Sequence, residues 1–282
     1  MLGLTLEGGA SRTVFSCGVL DVLLEEGIIA DCFVGVSAGI SFGVSYASGQ
    51  IGRNLRLATD FMPDKKYMSP RHMLNPKNRS IYNLDYVFYE VPEHLLPFDY
   101  DAFARYPGKV LAVLSNIDTG LAEYPEVPRG DHKFMYLRAS CALPMLFPII
   151  TIDGKRYMDG GITDSIPYKK AINEGCDKNI IILTREEGYR KHIERTDEIA
   201  AHKFRKYPAF STALLTRAER YNETIEELAA LEKEGKVFIF RPDTTKGIRR
   251  TESDRRVLKG LYDKGYAEGK RRISELREYL EN

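Results

Sequence analysis

The sequence predicts an α/β fold of three layers, α/β/α, around a mostly parallel central sheet. Two observations carry this. Strand-like and helix-like segments alternate from the N-terminus, and that order gives parallel strands covered on both faces. The strand-like segments are short apolar runs such as Cys32-Phe33-Val34-Gly35-Val36 and Asn179-Ile180-Ile181-Ile182-Leu183-Thr184, as suits strands buried in a sheet.

The first unit is a strand at Leu2–Glu7, a turn at Gly8-Gly9 and a helix from Val14 to Glu26. On that helix Phe15, Val19, Val22 and Leu23 recur at helical spacing, and Gly27 ends it. A strand at Phe33–Val36 follows, then Ser37 and a helix of small apolar residues from Ala38 to Ala47. Residues 61–106 have another texture, with Pro63, Pro70, Pro76, Pro92 and Pro97 among tyrosines, phenylalanines and Met62, Met68 and Met73. Prolines at this density prevent long helices and predict an irregular cap. The cap either fills a satellite core or forms an apolar wall for an acyl chain, to which methionines adapt.

Strand texture resumes at Lys109–Leu114. Asp153-Gly154 between two short strands is a two-residue hairpin signal. A helix near Pro167–Glu174 leads to the strand Asn179–Thr184. The charged stretch 185–207 reads as a surface excursion. A long helix is expected from Ala209 to Glu234, then a strand at Val237–Phe240. Residues 1–245 thus form the main domain, and 246–282 a basic helical extension. From Lys236 onward there are 13 Lys or Arg against 8 Asp or Glu. Leu258, Leu261, Tyr262 and Tyr266 give this helix one apolar face, to be packed on the domain or laid on an anionic lipid surface.

The chain has 282 residues, 43% hydrophobic and 29% charged, enough for a substantial core. A net charge of +1 gives no bulk attraction to nucleic acid. Cys17, Cys32, Cys141 and Cys176 lack C-x-x-C spacing. They read as reduced thiols of a cytoplasmic protein, with no metal or other cofactor expected. The N-terminus reads as the first strand, not as a leader. No apolar run reaches the ~18 residues of a spanning helix, so any membrane contact is expected to be peripheral.

The chemistry centres on Gly35-Val36-Ser37-Ala38-Gly39. A serine in G-x-S-x-G sits on a tight strand-to-helix turn with its oxygen held at the mouth of a sheet, as acyl transfer requires. A serine needs a base and donors for the oxyanion. The amides of Gly8, Gly9 and Ala10, at the opening of a helix, and that of Ala38 are the candidate donors. The loop has neither G-x-G-x-x-G nor G-K-[ST], which argues against a nucleotide cradle. The motif lies early in the chain, and His192 and His202 lack a strand-end context, so the usual Ser–Asp–His order does not fit. Asp159, in Asp159-Gly160-Gly161 directly after a strand, is the candidate base.

These pieces together resemble the patatin-like phospholipase family over roughly residues 2–245. The loop Gly8-Gly9-Ala10-Ser11-Arg12, the Ser37 turn and Asp159-Gly160-Gly161 occur in the family's order. Ala139-Ser140-Cys141-Ala142-Leu143-Pro144 and Asn116-Ile117-Asp118-Thr119-Gly120 are weaker matches, and the basic C-terminal segment looks like the extension of a bacterial cytoplasmic branch. The resemblance implies a patatin-like fold and a Ser37–Asp159 dyad that cleaves lipid esters, phospholipid or lysophospholipid, through an acyl-enzyme and without a metal. Arg12 then anchors the loop or meets an anionic head group. Where the family has G-G-G-x-R-G, this chain has Ala10 and Thr13. A hydrolase of small esters or thioesters, and a catalytically silent scaffold that binds lipid or protein, are the alternatives.

Overall fold

The computed structural model describes residues 1–282. Eight strands form one sheet: β1 (Leu2–Leu6), β2 (Cys32–Val36), β3 (Lys109–Asn116), β4 (Ala122–Glu123), β5 (Ile150–Ile152), β6 (Lys155–Asp159), β7 (Lys178–Ile182) and β8 (Phe238–Phe240). The order is β5-β6-β3-β2-β1-β7-β8, with β4 beside β3. Strands β3, β2, β1, β7 and β8 are parallel. Strands β4 and β6 run antiparallel to β3, and β5 antiparallel to β6. The sheet is therefore mostly parallel.

The chain builds outward from β1 through β2 to β3, then crosses to β7 and β8 on the other side of β1. Such a reversal opens a crevice at the carboxyl ends of the central strands. The segments that follow β1, β2 and β7 all begin at this edge.

Ten α-helices flank the sheet: α1 (Val14–Glu25), α2 (Ala38–Ala47), α3 (Arg53–Arg56), α4 (Tyr100–Ala104), α5 (Met135–Ser140), α6 (Tyr168–Asn173), α7 (Arg195–Lys203), α8 (Pro208–Leu215), α9 (Arg217–Lys233) and α10 (Arg255–Glu281). Alternation along the strands divides the core into two layers. Leu4, Leu6, Phe33, Ile180 and Ile182 face a large cluster with Phe15 of α1, Ile40 of α2 and Leu276 of α10. On the opposite face, Cys32, Val34 and Val36 meet Ala171 of α6, while Ile181 and Ile239 meet Tyr221 and Leu228 of α9.

The C-terminal helix α10 lies along α1. Its Leu258, Leu261, Tyr262 and Leu276 are buried, and Tyr262 donates to the buried Asp21 carboxylate at 2.6 Å. Two glycines permit the approach: a Cβ on Gly265 would lie 1.8 Å from the Phe15 carbonyl oxygen, and one on Gly18 2.2 Å from that of Tyr262. The apolar face of α10 is thus covered by α1. Many of its basic side chains are paired locally, Lys270 with Glu25 and Glu26, Arg271 with Glu268, Arg272 with Glu275 and Arg255 with Asp60. No helix is long and apolar enough to cross a membrane.

Three segments differ from the sequence reading. The helix expected over 209–234 is broken into α8 and α9 at Thr216, whose hydroxyl donates back to Thr212 O at 2.9 Å. Such back-bonding bends helices. The stretch 185–207 contains α7, and its first residues wall the crevice instead of simply covering the surface. In the cap, Leu57–Phe61 and Tyr86–Leu95 are wound as π-helix, the second with Pro92 inside it, and Pro70–Leu74 is a 3₁₀ turn.

Candidate active site

Ser37 sits between β2 and α2 at φ 54°, ψ −128°, a left-handed conformation costly for a residue with a Cβ. Tight packing imposes it. A Cβ on Gly39 would come within 2.7 Å of Leu6 O, so only glycine lets α2 start this close to β1. The Ser37 N–H donates to Ser140 Oγ at 2.8 Å, and that hydroxyl donates to Val113 O at 2.8 Å. The strained residue is therefore tied to the end of α5 and to β3.

Asp159 ends β6, opposite Leu114 of β3, and is 1% exposed. Its N–H donates to Ala142 O at 2.8 Å. The segment 140–142 thus holds both Ser37 and Asp159 by the backbone. Ser37 Oγ donates to Asp159 Oδ2 at 2.7 Å, and Gly161 N–H donates to Asp159 Oδ1 at 2.8 Å. Burial pushes the carboxyl above the usual aspartate range, against Arg217, the Ser37 hydroxyl, the Gly161 amide and Arg250, which favour its charge. No histidine bonds to Ser37 or Asp159; His192 lies exposed on the outer wall of the crevice.

The loop after β1 borders the same space. The amides of Gly8, Gly9, Ala10 and Ala38 donate to no protein acceptor, which leaves them free for an anionic oxygen. Of the two departures from the family loop, one is strained and the other is not. Ala10 has φ 49°, where glycine is preferred. Thr13 has φ −62°, which any residue adopts; its buried hydroxyl has no partner.

Ser37 and Ala10 lie where two cavities of opposite character meet. One is apolar and walled by the cap through Met62, Tyr67, Val87, Phe88, Val91 and Phe98. Met68 and Met73 do not line it, and Met73 is exposed. The buried Arg53 forms part of its wall, held by Ser45 Oγ and Leu96 O at 3.2 and 3.0 Å. The other cavity is polar. It holds Asp159 and the cations Arg12, Arg185, Lys191, Arg217 and Arg250. Sequence reasoning singled out only Arg12 of these five, and it missed the tether from Ser140.

The protein is thus an α/β fold with a strained serine on a strand-to-helix turn, bonded to a buried aspartate beside amides that have no protein acceptor. The chain matches the model of the patatin-like phospholipase family over residues 4–172, and it belongs to that family. A second model, a domain of unknown function, matches residues 207–281. Among similar proteins, the uncharacterized protein YjjU of Escherichia coli is 26% identical over 187 residues, 65% of this chain and 52% of that protein. Lysophospholipase NTE1 of Cryptococcus neoformans is 29% identical over 198 residues, 64% of this chain and 11% of that protein. The chain therefore spans about half the length of the first relative and a small part of the second. The crystal structure of VipD from Legionella pneumophila aligns with a TM-score of 0.45 at 13% identity, over 95% of this chain and 66% of that one.

Proposed function

We propose that this chain is a serine acyl hydrolase that cleaves carboxylic esters of lipids. The observation that carries the reading is the 2.7 Å bond from Ser37 Oγ to a carboxylate that is 1% exposed. A serine hydroxyl is a weak nucleophile, and a carboxylate whose charge is disfavoured by burial takes up its proton more readily. The apolar cavity, lined mostly by hydrophobic and aromatic side chains as ligand sites are, begins at the same serine. Membership of a phospholipase family and a relative named lysophospholipase agree with a lipid ester.

In the mechanism, Ser37 Oγ attacks the ester carbonyl as Asp159 accepts its proton. The oxyanion is met by the amides of Gly8, Gly9, Ala10 and Ala38, each donor worth ~3 kcal/mol of barrier. Collapse expels the alcohol, which takes the proton back from Asp159, and leaves the acyl group on Ser37. Water, deprotonated by Asp159, then attacks the acyl-enzyme, and the proton returns to Ser37 as the fatty acid leaves.

A fluorophosphonate probe tests this. It labels the wild-type protein but neither Ser37→Ala nor Asp159→Asn, and hydrolysis of a long-chain ester is lost in parallel. Undiminished hydrolysis by Ser37→Ala would overturn the assignment. Faster turnover of short than of long acyl chains at saturating substrate would favour a small-ester hydrolase instead.

A further inference from the structure

The polar cavity beside the dyad is cationic, and its cations are unpaired. Arg12, Arg185, Lys191, Arg217 and Arg250 all line it. About half of the chain's other Lys and Arg reach a carboxylate, some at half-buried positions such as Arg241–Glu232 and Lys170–Glu174, whereas none of these five does although they converge on one cavity. Their partners are neutral. Arg217 Nε donates to Gly161 O at 2.6 Å, and Arg185 donates to Thr245 Oγ1 and the Tyr189 hydroxyl at 3.0 and 3.3 Å. Lys191 lies 4.4 Å over the Tyr221 ring, and the buried Arg12 Nε has no partner at all.

The positive charges also oppose one another. Burial first, then Arg185 and Arg250, lowers the pKa of Arg12. Burial first, then Arg217, pushes Lys191 down to about 7, with Arg250 and Arg185 adding to the effect and Glu7 resisting it. The carboxylates of the cavity offset this field only in part, Asp159 against Arg217 and Arg250 and Glu7 against Arg12 and Lys191. Glu7 accepts from Thr184 N–H at 2.6 Å and from Tyr221 at 3.0 Å, and burial raises its pKa. Glu194 and Asp197 are engaged in a reciprocal helix cap. Asp159 faces Ser37.

We propose that this cavity recognises a phosphate monoester on the leaving alcohol, so that the preferred substrate is an acyl ester of a phosphorylated polyol, such as a monoacylglycerol phosphate. The inference rests on the hydrolase reading for its geometry. With the acyl chain in the apolar cavity and the carbonyl at Ser37, the alcohol is directed into the cationic one. A phosphate monoester carries about −1.5 to −2 charge and three acceptor oxygens at neutral pH, which suits several arginines. A quaternary ammonium head fits less well. The Tyr189 ring on this wall is already covered by Arg185 at 4.1 Å, so it offers no open face for a cation. The inference also gives the C-terminal segment a role, because Arg217 and Arg250 belong to the part matched by the domain of unknown function.

The test compares, with the full chain in one detergent, kcat/KM for three esters of the same acyl group: monoacylglycerol phosphate, monoacylglycerol and monoacylglycerophosphocholine. The phosphate ester is preferred at least ~10-fold over either, and added salt erodes the preference. Arg250→Gln and Arg185→Gln each bring the ratio, taken within each variant, toward one. Calorimetric titration of the wild type with glycerol phosphate, inorganic phosphate and glycerol separates the sources of the phosphate. Tighter binding of glycerol phosphate than of inorganic phosphate supports recognition of the leaving group. Equal binding of the two overturns it. Hydrolysis of all three esters at equal rates overturns the inference and leaves the hydrolase reading intact. Failure to hydrolyse any ester or to react with the fluorophosphonate removes the hydrolase reading, and absence of glycerol phosphate binding then removes the anion site independently.

Discussion

Replacing Asp159 by Asn moves activity and stability in opposite directions. In the native site Oδ1 accepts from Gly161 N–H and Oδ2 from Ser37, at 2.8 and 2.7 Å. An Asn that keeps the Gly161 bond through its oxygen turns its NH₂ group toward Ser37. Ser37 Oγ must then accept where it had donated, and no base faces it. Removing a general base costs ~10²–10⁴ in rate, so kcat/KM on a chromogenic long-chain ester falls by about 10³. Stability responds to burial instead. Burial is the largest influence on the Asp159 carboxyl and raises its pKa over the opposing effects of Arg217 and the two hydrogen bonds. The folded pKa therefore lies above the unfolded value of ~3.9. The folded chain holds the proton more tightly, so this contribution to stability is fully present below the unfolded pKa and is lost as pH rises through the folded one. At pH 7 the wild type holds a charge in a dry site and the variant does not. Asp159→Asn thus melts higher at pH 7, and its advantage shrinks toward pH 4. Each tenfold difference in proton affinity is worth ~1.4 kcal/mol, or roughly 3 °C in Tm for a chain approaching this size. Calorimetric melts across that pH range measure the effect. A variant that melts lower at pH 7, or whose advantage grows in acid, refutes the dominance of burial, and a fully active variant refutes the role of the carboxylate.

Restoring glycine at the two departures from the family loop gives opposite results. Ala10→Gly relieves ~1 kcal/mol of left-handed strain, partly offset by a freer unfolded chain, so Tm holds or rises by up to ~3 °C. Thr13→Gly relieves no strain and weakens the entry to α1 by ~1 kcal/mol, so Tm falls in a thermal melt. Ser140→Ala leaves the Ser37 N–H without its acceptor, and steady-state kinetics show kcat lower by ~10–100-fold through misplacement of the serine. Gly265→Ala drives a Cβ to 1.8 Å from the Phe15 carbonyl; overpacking of ~1–3 kcal/mol exceeds the helix propensity gained, and urea unfolding shows a lower midpoint with unchanged slope.

Much of the fold was legible because local chemistry and packing agree. The helix after Ser37 runs from Ala38 to Ala47, and Gly39 and Gly43 let it lie close to Leu6 and Phe33. The turn at Asp153-Gly154 takes φ 49° and 79°, the left-handed pair that Asp-Gly favours in a two-residue hairpin. The reading failed where a side chain competes with the backbone. Residues 209–234 carry the composition of one helix, and a single threonine hydroxyl bonded to Thr212 O interrupts it.

The site divides along a similar line. Ser37, Asp159 and the loop Gly8–Ala10 are marked by glycines, since each needs a sharp reversal or a close approach, and such needs leave a local trace in sequence. Their meeting is a property of the sheet. Asp159 comes beside Ser37 because β6 pairs antiparallel with β3 in the register Leu114 to Asp159, while β3 pairs parallel with β2. The cationic wall leaves no local trace. Arg12, Arg185, Lys191, Arg217 and Arg250 come from the turn after β1, the stretch after β7, the start of α9 and the approach to α10. Each alone resembles an ordinary surface charge. What distinguishes them is their convergence on one cavity without a carboxylate partner, and that is a relation among distant segments. Four of the five are partly buried, Arg250 being exposed, and partly buried cations without a carboxylate partner are costly to maintain. An anionic ligand offsets that cost, and the convergence of five cations beside Ser37 is what the proposed phosphate site rests on.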